Sequence, residues 1–352
     1  MPTPVATPIQ ALPSRFSRRR ILAALAAAGA ATVLPFAGRR VGRAQELAQV
    51  SVALDWYPNA NHAGLFLGQE RGYFAAEGLA VNLYTPSDPT AVLQTVGAGR
   101  DTFGISYQTD VLLARAQGVP VVSIAALVQH PLLSVMFLQE AGIARPGDLV
   151  GKTVGYPGIP SQEAILATML ETDGASLSDV RLINIEFNLV PALISGRVDA
   201  VMGAYWTHET ILAEREGYAV AILRVEEWGV PDYYELVMVA SEETVANQPE
   251  LITAFLRAMQ RGYEAAIADQ QAALNALVAA YPGTDRAVEE EGLQLLVPVW
   301  TDEVPVFGTQ TPERWEAHAN WMKERGLIPD DLDVGQAYRV ELLPAPEATP
   351  AT

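Results

Sequence analysis

From Val50 onward, short runs of β-branched and aliphatic residues alternate with stretches of helical apolar spacing. Residues 50–54, 81–84, 103–106 and 121–127 read as strands, and 62–76, 90–98 and 110–117 as helices. Gly78, Gly99 and Gly118 follow the three helical stretches. Glycine is the residue that takes a positive φ past a helix end at least cost, so each marks a helix stop. Strand and helix in strict alternation give an α/β architecture whose strands are mainly parallel.

The pattern returns further along. Gly99-Arg100-Asp101-Thr102-Phe103-Gly104 resembles Gly196-Arg197-Val198-Asp199-Ala200-Val201-Met202-Gly203, a helix end at Gly-Arg followed by a short strand. Val154-Gly155-Tyr156-Pro157 likewise echoes Leu54-Asp55-Trp56-Tyr57-Pro58, a strand leaving its sheet through an aromatic-Pro turn. Any two βα units share some of this, so the repeat alone leaves the number of lobes open. What it predicts is two similar lobes whose strand C-terminal ends face a shared cleft, the place where ligands bind in open α/β sheets. Residues 132–138 read as a strand leading out of the first lobe and 235–240 as one leading back. The expected division is 45–138 with 236–343 as lobe 1 and 139–235 as lobe 2. Two crossings make a hinge, which suits closure around a ligand. A mostly helical return begins with a helix at 249–269. The stretch 344–352 reads as a disordered tail.

The N-terminal segment is of another kind. Ser17-Arg18-Arg19-Arg20-Ile21-Leu22 opens an Ala-rich apolar run to about Phe36, too short for a membrane span. An arginine pair before such a run is an export signal of the twin-arginine type. It is expected to cover 1–44, with cleavage after Gly42-Arg43-Ala44 or retention as an uncleaved anchor. Seven of the 23 basic residues precede Glu46, so the remaining 16 stand against all 41 acidic residues. A surface of that sign repels nucleic acid and anionic lipid. Cysteine is absent, which removes disulfides, thiolate metal sites, a thiol nucleophile and the usual lipid-attachment residue. The expected location is periplasmic or extracytoplasmic, free unless the signal holds it.

Chemistry concentrates in 54–62, Leu-Asp-Trp-Tyr-Pro-Asn-Ala-Asn-His, at a strand-to-helix junction. Trp56 offers a stacking face, while Asp55 and Asn59 can bond a ring nitrogen or amine. Asp55 also suits a turn or helix cap, and Trp56 core packing. His62 either orients a ligand or caps the helix, His130 reads as structural, and His208 as a partner of its neighbour Glu209. The four histidines have no spacing that indicates a metal.

Several segments resemble one family. They are 54–59 with Gln69-Glu70-Arg71-Gly72-Tyr73-Phe74 and Glu77-Gly78-Leu79, Ile105-Ser106-Tyr107-Gln108, Gln129-His130-Pro131-Leu132 and 151–157. Gly203-Ala204-Tyr205 with His208-Glu209, and 229–236, Gly-Val-Pro-Asp-Tyr-Tyr-Glu-Leu, complete the set. Together they resemble the thiamine-pyrimidine family, which holds both formylaminopyrimidine-binding proteins of bacterial importers and a fungal enzyme making the thiamine pyrimidine. The resemblance covers 50 to about 263, and the 229–236 and His-Pro-Leu motifs are similar to the transporter branch. It implies a two-lobed periplasmic-binding-protein fold (type II), each lobe a mixed sheet flanked by helices, with a pyrimidine clamped in the cleft. Carried over by motif, Asp55, Trp56 and Tyr107 come from the first lobe and Tyr205 and Glu209 from the second. Four residues apart, the last two share a face if a helix turn begins there. Tyr233, Tyr234 and Glu235 are expected in hinge packing.

The family's enzymes imply a pyridoxal cofactor, a consumed histidine and a Cys-rich iron segment. With no cysteine and no lysine before Lys152, that chemistry lacks its residues. The expectation is therefore a non-enzyme without cofactor or metal, a monomer serving the permease and ATPase subunits of an ABC importer. Anion binders of related fold need cationic or helix-terminal groups, whereas the motifs here hold carboxylates, amides and aromatics without arginine. That favours a neutral or weakly basic ring. A formylaminopyrimidine-like thiamine precursor is expected, and riboflavin or another aromatic heterocycle stays open.

Overall fold

The computed structural model describes residues 47–345 apart from 303 and 305. The expected signal at 1–44, and the tail from 346, lie outside the described residues. Ten strands are described: β1 (Ala48–Ala53), β2 (Leu79–Tyr84), β3 (Phe103–Ser106), β4 (Val121–Val128), β5 (Leu133–Leu138), β6 (Thr153–Tyr156), β7 (Arg181–Asn184), β8 (Ala200–Tyr205), β9 (Val220–Arg224) and β10 (Leu236–Ser241). They form two five-stranded sheets, β2-β1-β3-β10-β4 and β7-β6-β8-β5-β9.

The sheets share one plan. In the first, β1 runs parallel to β2 and β3, while β10 is antiparallel to β3 and β4. In the second, β6 runs parallel to β7 and β8, while β5 is antiparallel to β8 and β9. Each sheet is therefore mixed, with a single antiparallel strand between its last two parallel ones. The Gly-Arg repeat precedes the third strand of each set, β3 and β8, which is where a duplicated unit should place it.

One expected boundary is displaced. The strand read as 132–138 was assigned to lobe 1, but β5 pairs with β8 and β9 in the second sheet. The chain leaves the first sheet at the end of β4 and crosses at 129–132. Pro131 has no N–H to give a ladder, so the ladder breaks there and β5 starts in a different sheet. Burial could not reveal this, because β4 and β5 are both apolar and almost wholly buried, as strands covered on both faces are.

The helix expected at 62–76 is also divided. A 3₁₀ turn at Ala60–His62 leads into a helix at Ala63–Glu70, and Gly72 at φ 71° separates it from Tyr73–Ala76. The long helix Pro249–Ala268 packs on Ala63–Glu70 so closely that a side chain at Gly262 would collide with the Gly64 carbonyl. Tyr263 beside it donates from its hydroxyl to Asn61 O at 2.8 Å. The return from 241 onward thus buttresses the turn that carries Asn59 and His62. No described helix is long and apolar enough to cross a membrane.

Candidate binding site between the two sheets

At the C-terminal end of β1 the chain turns out of the sheet, and Asn59 organises the turn. Its Oδ1 accepts from Asn61 N at 2.9 Å and its Nδ2 donates to Tyr57 O at 3.1 Å. The Asn59 N–H donates to His62 Nδ1 at 3.2 Å, so the ring proton sits on Nε2, which donates to Asp55 Oδ1 at 2.9 Å. Tyr107, just past β3, donates its hydroxyl to Asp55 Oδ2 at 3.3 Å. Burial, and then the Asp55 charge, push the Tyr107 phenol well above its ordinary range, so it stays a donor.

The second sheet supplies the opposite wall. Tyr205 ends β8, and its N–H donates to Glu209 Oε2 at 2.9 Å. The expected shared helical face is not the geometry: the helix begins only at Glu209, which reaches back over the turn to the last residue of the strand. Burial raises the Glu209 carboxyl above its ordinary value, opposed by His208 and by the Tyr205 N–H. Below it, the Tyr205 hydroxyl donates to Glu235 Oε1 at 3.1 Å.

Glu235 lies where the two crossings meet. Its Oε2 accepts from Leu132 N at 2.7 Å, Leu133 N at 3.1 Å and the Tyr233 hydroxyl at 3.1 Å. Burial pushes this carboxyl up to about 7, against the pull of those same donors. One side chain on the returning segment therefore ties down the outgoing one, and Tyr233 and Glu235 pack together where the two crossings meet.

Asp55, Trp56, Asn59, Tyr107, Tyr205 and Glu209 line one pocket. His62, the seventh candidate, does not. It is fully buried behind Asp55 with both ring nitrogens bonded inside the protein, so it positions the carboxylate and has no face left for a ligand.

Three further residues complete the wall: Gly203, which the sequence offers only as part of a motif, and Ile159 and Gln162, which it does not single out. The echo between 154–157 and 54–58 was the available signal, because the turn after β6 is the counterpart of the turn after β1. Phe187 was missed as well. It lies against Trp56 at 4.6 Å between ring centroids, and its signal is weak, since it sits in an irregular loop beside Glu186 at φ 52°. Among the described residues no group of His, Asp and Glu is arranged to hold a metal ion. None of the pocket-lining residues is a lysine or arginine.

The model of the NMT1/THI5-like family matches residues 59–273. The formylaminopyrimidine-binding protein of Halalkalibacterium halodurans is 42% identical over 298 residues, 84% of this chain and 90% of that protein. The 4-amino-5-hydroxymethyl-2-methylpyrimidine phosphate synthase of Legionella pneumophila is 28% identical over 304 residues, covering 84% and 92%. In fold, the alkanesulfonate-binding protein of Xanthomonas axonopodis matches with a TM-score of 0.67 at 15% identity, over 84% of this chain and 99% of that one. This chain belongs to the NMT1/THI5-like family and has the two-sheet fold of periplasmic binding proteins.

Proposed function

We propose that this protein is the solute-binding component of an ABC importer and captures an aminopyrimidine, a formylaminopyrimidine-like thiamine precursor, between its two sheets. The observation that carries the reading is the pairing of Asp55 and Glu209, buried acceptors from opposite sheets, with the rings of Trp56, Tyr107 and Tyr205 around one pocket. An aminopyrimidine offers N–H donors at its edge and an aromatic face for stacking, and both have counterparts here. A sulfonate or nitrate would meet two carboxylates and no cation. The similarity to the Halalkalibacterium halodurans protein supports the same ligand class.

The carrier reading is favoured over synthesis because the pocket lacks a Schiff-base lysine. Lys152 stands just before β6, at the opposite end of that strand from the pocket. The two sheets are read as the cores of two lobes that close about the crossings at 129–132 and 229–235. The protein would act outside the cytoplasm as a monomer, with the importer's permease and ATPase as its partners.

Native mass spectrometry of protein purified from cells, followed by unfolding, tests the proposal. An aminopyrimidine released unchanged is the expected result. A covalent pyridoxal adduct on Lys152, or turnover with pyridoxal phosphate and iron, would instead place this chain with the synthases.

A further inference from the structure

Gln162 is the third residue of the helix Pro160–Thr172, 4% exposed, and part of the pocket wall. Neither end of its carboxamide has a hydrogen-bond partner among the described residues, and Oε1 is wholly removed from solvent. A buried acceptor left unpaired is a net cost to the fold. Its polar neighbours in the wall are differently placed: Asp55 is bonded by His62 and Tyr107, and Asn59 is engaged at both ends. The fold also reserves room for this carboxamide. Gly203 on β8 sits at φ 109°, and a Cβ there would lie 2.6 Å from Oε1 and 3.1 Å from Nε2 of Gln162. Only glycine allows both the backbone conformation and the amide laid across it.

We propose that Gln162, in the slot kept open by Gly203, is a specificity-determining residue that reads the amidine edge of the ligand. Nε2 donates to a ring nitrogen and Oε1 accepts from the adjacent exocyclic amino group. This two-point pairing is how a glutamine side chain reads adenine through adjacent amino and ring-nitrogen positions. The carboxylates of Asp55 and Glu209 accept only, so neither can match a donor beside an acceptor. An amino group has two hydrogens. Gln162 takes the one beside the ring nitrogen, and the other is left for Glu209. The inference rests on the aminopyrimidine reading and deepens it.

The test is titration calorimetry of the parent and of Gln162→Met, which keeps length and apolar bulk but has no amide. The probes are formylaminopyrimidine and its analogue with hydrogen in place of the exocyclic amino group. The parent should prefer the amino ligand, and Gln162→Met should shrink that preference at least about tenfold, the loss of one good two-point contact. The melting temperature of ligand-free Gln162→Met should not fall, because the amide bonds nothing in the protein. A lower melting temperature with equal weakening of both probes would make Gln162 structural and overturn the proposal. Should Gln162→Met not fold, Gln162→Glu keeps the size and loses the donor. Parent-level binding of the amino ligand by that variant overturns the proposal equally. Parent protein that binds neither probe would sink the aminopyrimidine reading itself, whereas a parent that binds with an unchanged preference in the variant sinks this inference alone.

Discussion

Asp55 and Glu209 face the same pocket from opposite sheets, yet they are held differently. Both oxygens of Asp55 are bonded by side chains, whereas Glu209 is held by backbone N–H groups, its own and that of Tyr205, the latter on Oε2. Glu209 also lines the pocket, and a ligand N–H reaching its carboxylate would offset the burial that raises it. A charge-assisted bond of that kind is worth about 1.5–3 kcal/mol. Glu209→Gln keeps an oxygen for the Tyr205 N–H, and should weaken an aminopyrimidine about 10- to 100-fold by calorimetry. An analogue without the amino group should lose much less. Equal binding of both ligands by this variant and the parent would make the carboxylate structural. Trp56→Ala removes a stacking face worth about 0.5–1.5 kcal/mol beyond its buried area, and should cost at least about tenfold in the same titrations. The sequence made these side chains legible because each follows a strand end within a motif of unusual composition. For His62 the sequence left ligand contact and helix capping open, because spacing does not say whether a ring looks toward a cleft or toward a neighbouring turn. Here the ring caps the turn and bonds Asp55.

Between elements, a carboxylate joins the two halves. Asp110, near the start of the helix Gln108–Ala116, accepts from both the backbone N–H and the hydroxyl of Ser161, at the start of Pro160–Thr172. Burial pushes the Asp110 carboxyl up to about 6, although both Ser161 bonds pull it down. The sign follows from linkage. Between its ordinary value near 3.8 and about 6, the unfolded chain has released this proton while the folded protein still holds it. The group's contribution to stability therefore falls as pH rises through that window, and its penalty is complete above about 6. The interval corresponds to about 3 kcal/mol at most. Asp110→Asn can still accept from the Ser161 N–H and bond its hydroxyl, so the variant should gain on the parent in thermal melts taken from pH 4 to pH 7. Parallel pH profiles would show that the buried carboxyl sets none of the slope. This contact could not be read from the sequence, since nothing in 108–116 announces a partner 51 residues away. The repeat could be read, because its helix stops and strand starts are local. The sheet to which β5 belongs could not, because that depends on pairing between two equally apolar strands.

At the scale of the whole molecule, two sheets of one plan are joined by two crossings, and Glu235 binds one crossing to the other. That arrangement places a pocket between the sheets. With 16 basic against 41 acidic residues beyond Arg43, this part of the chain repels anionic lipid and nucleic acid. The basic residues before Glu46 are grouped around Arg18 and Arg19 and again around Arg39 and Arg40, with the apolar stretch between them. Charge on an apolar segment's flank is what an export system reads, and an arginine pair distinguishes the twin-arginine signal from the general secretory one. Arg18→Lys combined with Arg19→Lys preserves every charge and removes only the pair. Under the twin-arginine reading, cell fractionation and immunoblotting should find that variant unprocessed in the cytoplasm, and the parent protein released by osmotic shock. Normal export of the variant would show that the segment serves the general secretory route. Retention of the parent in the membrane fraction after osmotic shock would show that the apolar segment remains attached as an anchor.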